Sequence, residues 1–247
     1  MPSNYQQWLQ RDVQPEEKIQ LTPQEKRKNW WHYYKWIVVG GIVVGGITLS
    51  LVLNAFGVGV VKPDYQIAYV GTSDLPDDTA QALTTALEAL GEDLNGDGKV
   101  VVTLNQYCSS EDTEGDDTAA MQQYASEVEL IADISDCESY FFLLEDPETF
   151  QTNYQVLAEA DGSCPEETDY DWEDKVYLWS DCPVLDSLDL GSYTESVLGE
   201  TLTGESRDLL ENLYFGRRCF YEENSNTVDN LEGCEALWEL LTEGATR

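Results

Sequence analysis

The chain has 247 residues, 42% of them hydrophobic, with 48 acids against 13 cations and a formal net charge of −35. That apolar fraction suits a folded protein and argues against a disordered chain. Residues 1–36 hold six cations and four acids, which leaves 7 cations and 44 acids for residues 62–247; so acidic a surface repels phosphates and anionic headgroups and excludes nucleic-acid binding there.

Residues 36–61 contain no ionisable side chain. At about 1.5 Å per residue, such a run crosses a hydrocarbon core of roughly 30 Å. Trp30, Trp31, Tyr33, Tyr34 and Trp36 sit where an interfacial aromatic belt belongs, and Lys26, Arg27, Lys28 and Lys35 mark that side as cytoplasmic. The expected organisation is a basic cytoplasmic tail (1–35), one transmembrane helix (36–61) and an acidic extracytoplasmic domain (62–247) at the cell membrane. The run is longer than a signal-peptide core and follows a long polar tail, so it reads as an uncleaved signal anchor. Gly41 and Gly45 lie one turn apart, a spacing that lets two helices approach closely, and they suggest a weak homodimer.

Beyond the membrane, residues 65–70 (YQIAYV) read as a buried strand. Pro76, Asp77 and Asp78 suit the first turn of a helix whose apolar stripe is Leu83, Leu87 and Leu90. Residues 99–106 give a second strand. The clearest helix spans 116–134, with Met121, Tyr124, Ala125, Val128, Ile131 and Ala132 on its apolar face. A third strand at 139–144 runs into Asp146-Pro147-Glu148, a cap followed by proline at the first helical position. Phe150, Tyr154 and Leu157 line that helix. Further strands are expected at 175–179 and 213–221, and a closing helix at 229–241 has Cys234, Leu237, Trp238 and Leu241 inward. Near-continuous apolar strands alternating with helices predict an α/β domain with a mostly parallel sheet and flanking helices.

Six cysteines (Cys108, Cys137, Cys164, Cys182, Cys219 and Cys234) all follow the apolar run. An even number in the exported part reads as a disulfide framework with 15 formal pairings. Nearest-neighbour pairing (108–137, 164–182, 219–234) is the working expectation. No C-x-x-C spacing points to zinc or redox chemistry.

Asp93-Leu94-Asn95-Gly96-Asp97-Gly98-Lys99 matches the first half of an EF-hand-type calcium loop. Asp93, Asn95, Asp97 and the Lys99 carbonyl would supply oxygens. The twelfth position, normally a bidentate glutamate, is Leu104. The alternative is a tight polar turn into a strand, which needs no metal. The only histidine is His32, before the membrane, so the outer domain cannot build a histidine-based triad. Carboxylate chemistry is what remains open to it.

Tyr170, Asp171, Trp172, Tyr177 and Trp179 form an aromatic group among acids, either a platform for sugars or cations or a core strand. Arg217 and Arg218 are the only basic pair outside, available for buried carboxylates or for an anionic ligand.

The segments KPDYQIAYVG, LPDDTAQAL, GEDLNGDGKVVVTLNQY, SYFFLLEDPETF, VLAEADGSCPEE and LYFGRRCF resemble an uncharacterised group of single-pass membrane proteins from clostridia-like Gram-positive bacteria, over most of residues 30–235. That resemblance implies the architecture and assigns no functional residue. The strand–helix alternation of 64–150 is also similar to one lobe of an extracytoplasmic solute-binding protein, a likeness of fold alone. The functional expectation is a membrane-anchored extracytoplasmic binding or interaction module, calcium-stabilised, with a protein or small-molecule ligand. The alternatives are a carboxylate-dependent envelope hydrolase and a structural subunit of an envelope complex.

Overall fold

A computed structural model of the chain describes residues 22–55, 62–108, 117–166, 169–197, 200–221 and 230–246. The expected tail over 1–21 and the end of the apolar run at 56–61 lie outside the described residues. The chain divides into two compact units, Met1–Val60 and Val61–Arg247.

Among the described residues, the first unit holds one helix, α1 (Pro23–Ala55), long and apolar enough to cross a membrane. Its apolar side chains are exposed all round: Trp36, Ile37, Ile42 and Val44 each show more than half their surface. Gly41 and Gly45 likewise have open space where a Cβ would stand. A helix apolar on every side needs a lipid or protein environment.

The second unit begins β1 (Tyr65–Gly71), α2 (Asp77–Glu88), β2 (Val102–Cys108), α3 (Asp117–Asp136), β3 (Phe141–Leu144), α4 (Pro147–Tyr154) and β4 (Val176–Leu178). A 3-10 turn (Trp179–Asp181), α5 (Pro183–Asp186), a hairpin of β5 (Ser192–Val197) and β6 (Glu200–Glu205), α6 (Ser206–Leu210), β7 (Tyr214–Arg217) and α7 (Leu231–Leu241) follow. The five-stranded sheet has the order β2-β1-β3-β7-β4. β1 pairs in parallel with β2 and β3, whereas β7 pairs antiparallel with both β3 and β4. The sheet is therefore mixed, which corrects the expectation of a mostly parallel one. The Trp179 amide donates to the Leu213 carbonyl at 2.8 Å, so the excursion between β4 and β7 leaves and returns at the same end of the sheet. A strand entered that way must run against its neighbour.

Alternate residues of the central strands feed two cores. Tyr65, Ile67, Tyr69, Phe141, Leu143 and Phe215 pack with Leu83 and Leu87 of α2 and Leu237, Trp238 and Leu241 of α7. Ala68, Phe142, Leu144 and Val176 face the other way, onto Leu130 of α3 and Phe150 of α4. Burial on both faces is why β1 and β3 read as unbroken apolar runs. Asp146 caps α4 as expected, accepting from the Thr149 amide at 3.0 Å, with Pro147 in the first turn.

The rotation of α3 differs from expectation. Met121 is 75% and Tyr124 68% exposed, and Val128 and Ile131 are nearly half exposed. Ser126, Leu130 and Asp133 face the sheet instead. Ser126 Oγ accepts from the Cys108 amide at 2.8 Å, and Asp133 accepts from Tyr107 Oη at 2.7 Å. Those polar groups find partners only when turned inward, and that requirement outweighs the apolar stripe. The hairpin β5–β6 was not expected at all. Its Thr194 amide donates to Asp78 Oδ2 at 3.1 Å, tethering it to the start of α2.

Candidate functional site

The loop at 93–99 folds as nested polar turns. Asp93 accepts from the Gly96, Asp97 and Gly98 amides at 2.7–3.2 Å, Asn95 from Asp97, and Asp97 from Lys99. Gly96 and Gly98 have φ of +75° and +88°, a region where residues with a Cβ are strained. The loop is held from beneath by Asp64, 3% exposed, whose carboxylate accepts from the Leu94, Asn95 and Val101 amides. Leu94 packs on α7, close enough that a Cβ at Gly233 would stand 2.7 Å from its Cδ1. Among the described residues, no three His, Cys, Asp or Glu side chains converge as a metal would need. Leu104, at the twelfth position, lies within β2.

All six cysteines are free thiols. Cys108 ends β2 opposite Gly71, whereas the Tyr140 amide bonds to the Gln66 carbonyl, which puts Cys137 toward the other end of the sheet. Five strand residues separate those levels, about 17 Å at roughly 3.3 Å each, beyond the reach of one disulfide. Cys182 and Cys234 lie in the α7-side core, where burial first, then Asp181 and Glu235 respectively, pushes each thiol up to about 12. Burial first, then each other, perturbs the Cys164 and Cys219 thiols, and both are raised.

The expected aromatic and basic surface does not assemble. Trp172 meets Tyr214 edge-on at 5.2 Å and belongs to the α3-side core, whereas Tyr177 and the buried Trp179 belong to the other. Arg217 and Arg218 are 7% and 4% exposed. The Arg217 guanidinium lies 5.2 Å over the Trp238 ring and donates to the Ala160 carbonyl at 2.9 Å. Arg218 donates to the Ile134 and Ser139 carbonyls, capping the C-terminal end of α3 with positive charge. Backbone carbonyls thus take the hydrogen bonds of both arginines, and the Asp133 charge adds support to Arg218. The buried Lys175 is accounted for by Glu159 and Asp169, each 3.1 Å away. Burial would lower its pKa, and these two hydrogen-bonded acids override that, so it is raised.

What the fold does assemble is a crevice of about 300 Å³ at the carboxyl ends of β1, β2 and β3. The chain runs from β1 outward to β2, then crosses back to β3 on β1's other side. This reversal of strand order is where open α/β sheets place their ligands. Glu145, just past β3, is fixed by Tyr69 Oη at 2.8 Å and by the Thr72 amide at 2.8 Å. Burial, then Glu145, raises the Tyr69 phenol, which stays a neutral donor. Cys108 lies 2.8 Å from Asp74 Oδ1, and burial, then this hydrogen bond, pushes its thiol up to about 12. Such a thiol remains protonated and is a poor nucleophile. Asp146 is held below the usual carboxylate range by its bonds to Thr149.

Glu127 and Asp146 line the crevice with Glu145, beside the rings of Phe150 and Tyr154, and among the described residues no Lys, Arg or His does. A neighbouring hollow of about 360 Å³ shares Cys108, Gln123 and Ser126 and adds Asp74 and Glu129.

Sequence reasoning missed this site. The signal available was Thr72 and Glu145 just past β1 and β3 and Cys108 at the last position of β2, at the end where ligands bind. Comparison of the chain with family models, curated proteins and solved structures returned no match.

Proposed function

We propose that the protein is a membrane-anchored extracytoplasmic binding module whose acidic crevice takes a small organic cation, an amine-bearing solute. The observation that carries this reading is the composition of the crevice at the strand-order reversal: three carboxylates, three aromatic rings (Tyr107, Phe150 and Tyr154) and, among the described residues, no cation. Carboxylates pair with an ammonium group, and an aromatic face adds attraction to a desolvated cation. The apolar α1 supports anchoring, and Lys26, Arg27, Lys28 and Lys35 in its first turns, ahead of the uncharged run, support an inside N-terminus. The hydrolase alternative draws nothing from Glu145, whose two oxygens are both occupied in holding the β1–α2 turn.

Calorimetric titration of the full chain in detergent with matched primary amines and carboxylic acids tests this. Amines are expected to bind, more weakly in high salt, and Glu127→Gln should cut affinity about tenfold, a loss of about 1.4 kcal/mol. Binding of the acids alone, or of neither set, would refute the reading.

A second reading, assembly with another copy, has its own observation. Met121, Tyr124, Val128 and Ile131 of α3 are exposed at heptad a and d spacing. In a parallel pair the flanking Glu127 would meet Ala132 of the second copy rather than another acid. Gly41 and Gly45 would add an approach within the membrane. Light scattering of the full chain in detergent should find a dimer that Val128→Asp dissociates. A monomer at all concentrations sinks it.

A further inference from the structure

Residues 156–158 run beside 217–219 in a short antiparallel ladder. Leu157 bridges Arg218, the Ala158 amide donates to the Arg217 carbonyl at 2.9 Å, and the Cys219 amide to the Val156 carbonyl at 2.9 Å. The chain then turns back on itself. The Glu159 amide donates to the Ser163 carbonyl and the Gly162 amide to the Glu159 carbonyl, both at 2.9 Å. Asp161 accepts from the Ser163 hydroxyl and amide, and Arg217 holds the turn through the Ala160 carbonyl. This turn brings Cys164 back toward the ladder end that carries Cys219, near enough for each thiol to shift the other's ionisation, Cys164 half-buried and Cys219 3% exposed. Separate elements, 55 residues apart in the sequence, thus bring two thiols together.

We propose that Cys164 and Cys219 are a disulfide-forming pair, and that the bond ties the 159–163 turn to the end of β7. Burial raises both thiols, Cys219 the further, so Cys164, the more accessible, reacts through its minor thiolate fraction and attacks the disulfide of an exchange oxidant, either a protein dithiol–disulfide oxidant or oxidised glutathione. The oxidant's S–S bond breaks, and a mixed disulfide forms. Cys219 then attacks the Cys164 sulfur, the new S–S bond closes, and the oxidant leaves as two thiols carrying both electrons and both protons. In cells the step rests on the outward orientation proposed above, because a reducing cytoplasm would keep the pair as thiols. The pairing departs from nearest-neighbour order, which would have sent Cys164 to Cys182 and Cys219 to Cys234.

The test is peptide mapping of the full chain, extracted from membranes with free thiols alkylated and no reductant added. A linked peptide joining Cys164 to Cys219 is the expected result. A link from either residue to another cysteine overturns the pairing. If the extracted chain carries only free thiols, the folded chain is next exposed to oxidised glutathione. A 164–219 link formed there supports the pairing and places the failure in the proposed compartment; thiols that stay free overturn the pairing itself. Reductant should also lower the melting temperature of the oxidised chain by on the order of 10 °C, since the bond closes a loop of more than 50 residues. Cys164→Ser should abolish that sensitivity.

Discussion

Replacing Asp133 with alanine is expected to destabilise the second unit by about 3–5 kcal/mol, read as a fall in denaturation midpoint of the full chain. The carboxylate is 2% exposed and serves three elements at once. It accepts from Tyr107 Oη of β2 at 2.7 Å, and from the Ser139 amide at 3.0 Å and hydroxyl at 2.6 Å ahead of β3. Its charge also acts on the buried Arg218, whose guanidinium burial pushes down and Asp133 helps hold up. Alanine would strand a phenol, an amide and a hydroxyl without partners and leave a buried cation with less opposing charge. Tyr107→Phe, which removes one donor, should cost only about 1 kcal/mol. Near-equal losses from the two variants would show that Asp133 is not the node.

The second large effect concerns the polar loop. Asp64→Ala is expected to cost about 3 kcal/mol, because three backbone amides lose a shared, nearly buried acceptor. Asp93→Ala, in an exposed part of the loop, should cost about 1–2 kcal/mol. Both losses are expected to be the same in EDTA and in millimolar calcium, and calcium should raise the melting temperature no more than magnesium does. A site that binds calcium only in the native state would instead raise it in proportion to RT ln(1 + [L]/Kd). A calcium-specific rise that Asp93→Ala removes would restore the metal reading of this loop.

These two aspartates show where legibility ended. Residues 62–247 hold 44 acids, and nothing local distinguishes Asp64 or Asp133 from the solvated majority. Each is defined by donors more than 25 residues away or on another element. The same holds for the crevice, whose walls come from three strand ends and two helices. By contrast, the strand at 65–71, the helix stripe of Leu83 and Leu87, the Asp146-Pro147 start and the inward Trp238 were all readable, because each depends on periodicity or on capping within a few residues. The hairpin at 192–205 carries only a faint local mark, Thr-bearing segments around Leu198-Gly199 that lack strict alternation.

By itself the sequence determined the division into an apolar anchor helix and an acidic α/β unit, since charge and hydrophobic period are properties of neighbouring residues. It determined that both faces of the central strands would be covered. Only the tertiary structure decided that β7 runs against the sheet, that α3 turns its apolar stripe outward, that both arginines serve backbone carbonyls, and that Cys164 meets Cys219. Each of those outcomes is set by which distant groups can satisfy a buried charge or hydrogen bond, a competition that no local pattern encodes.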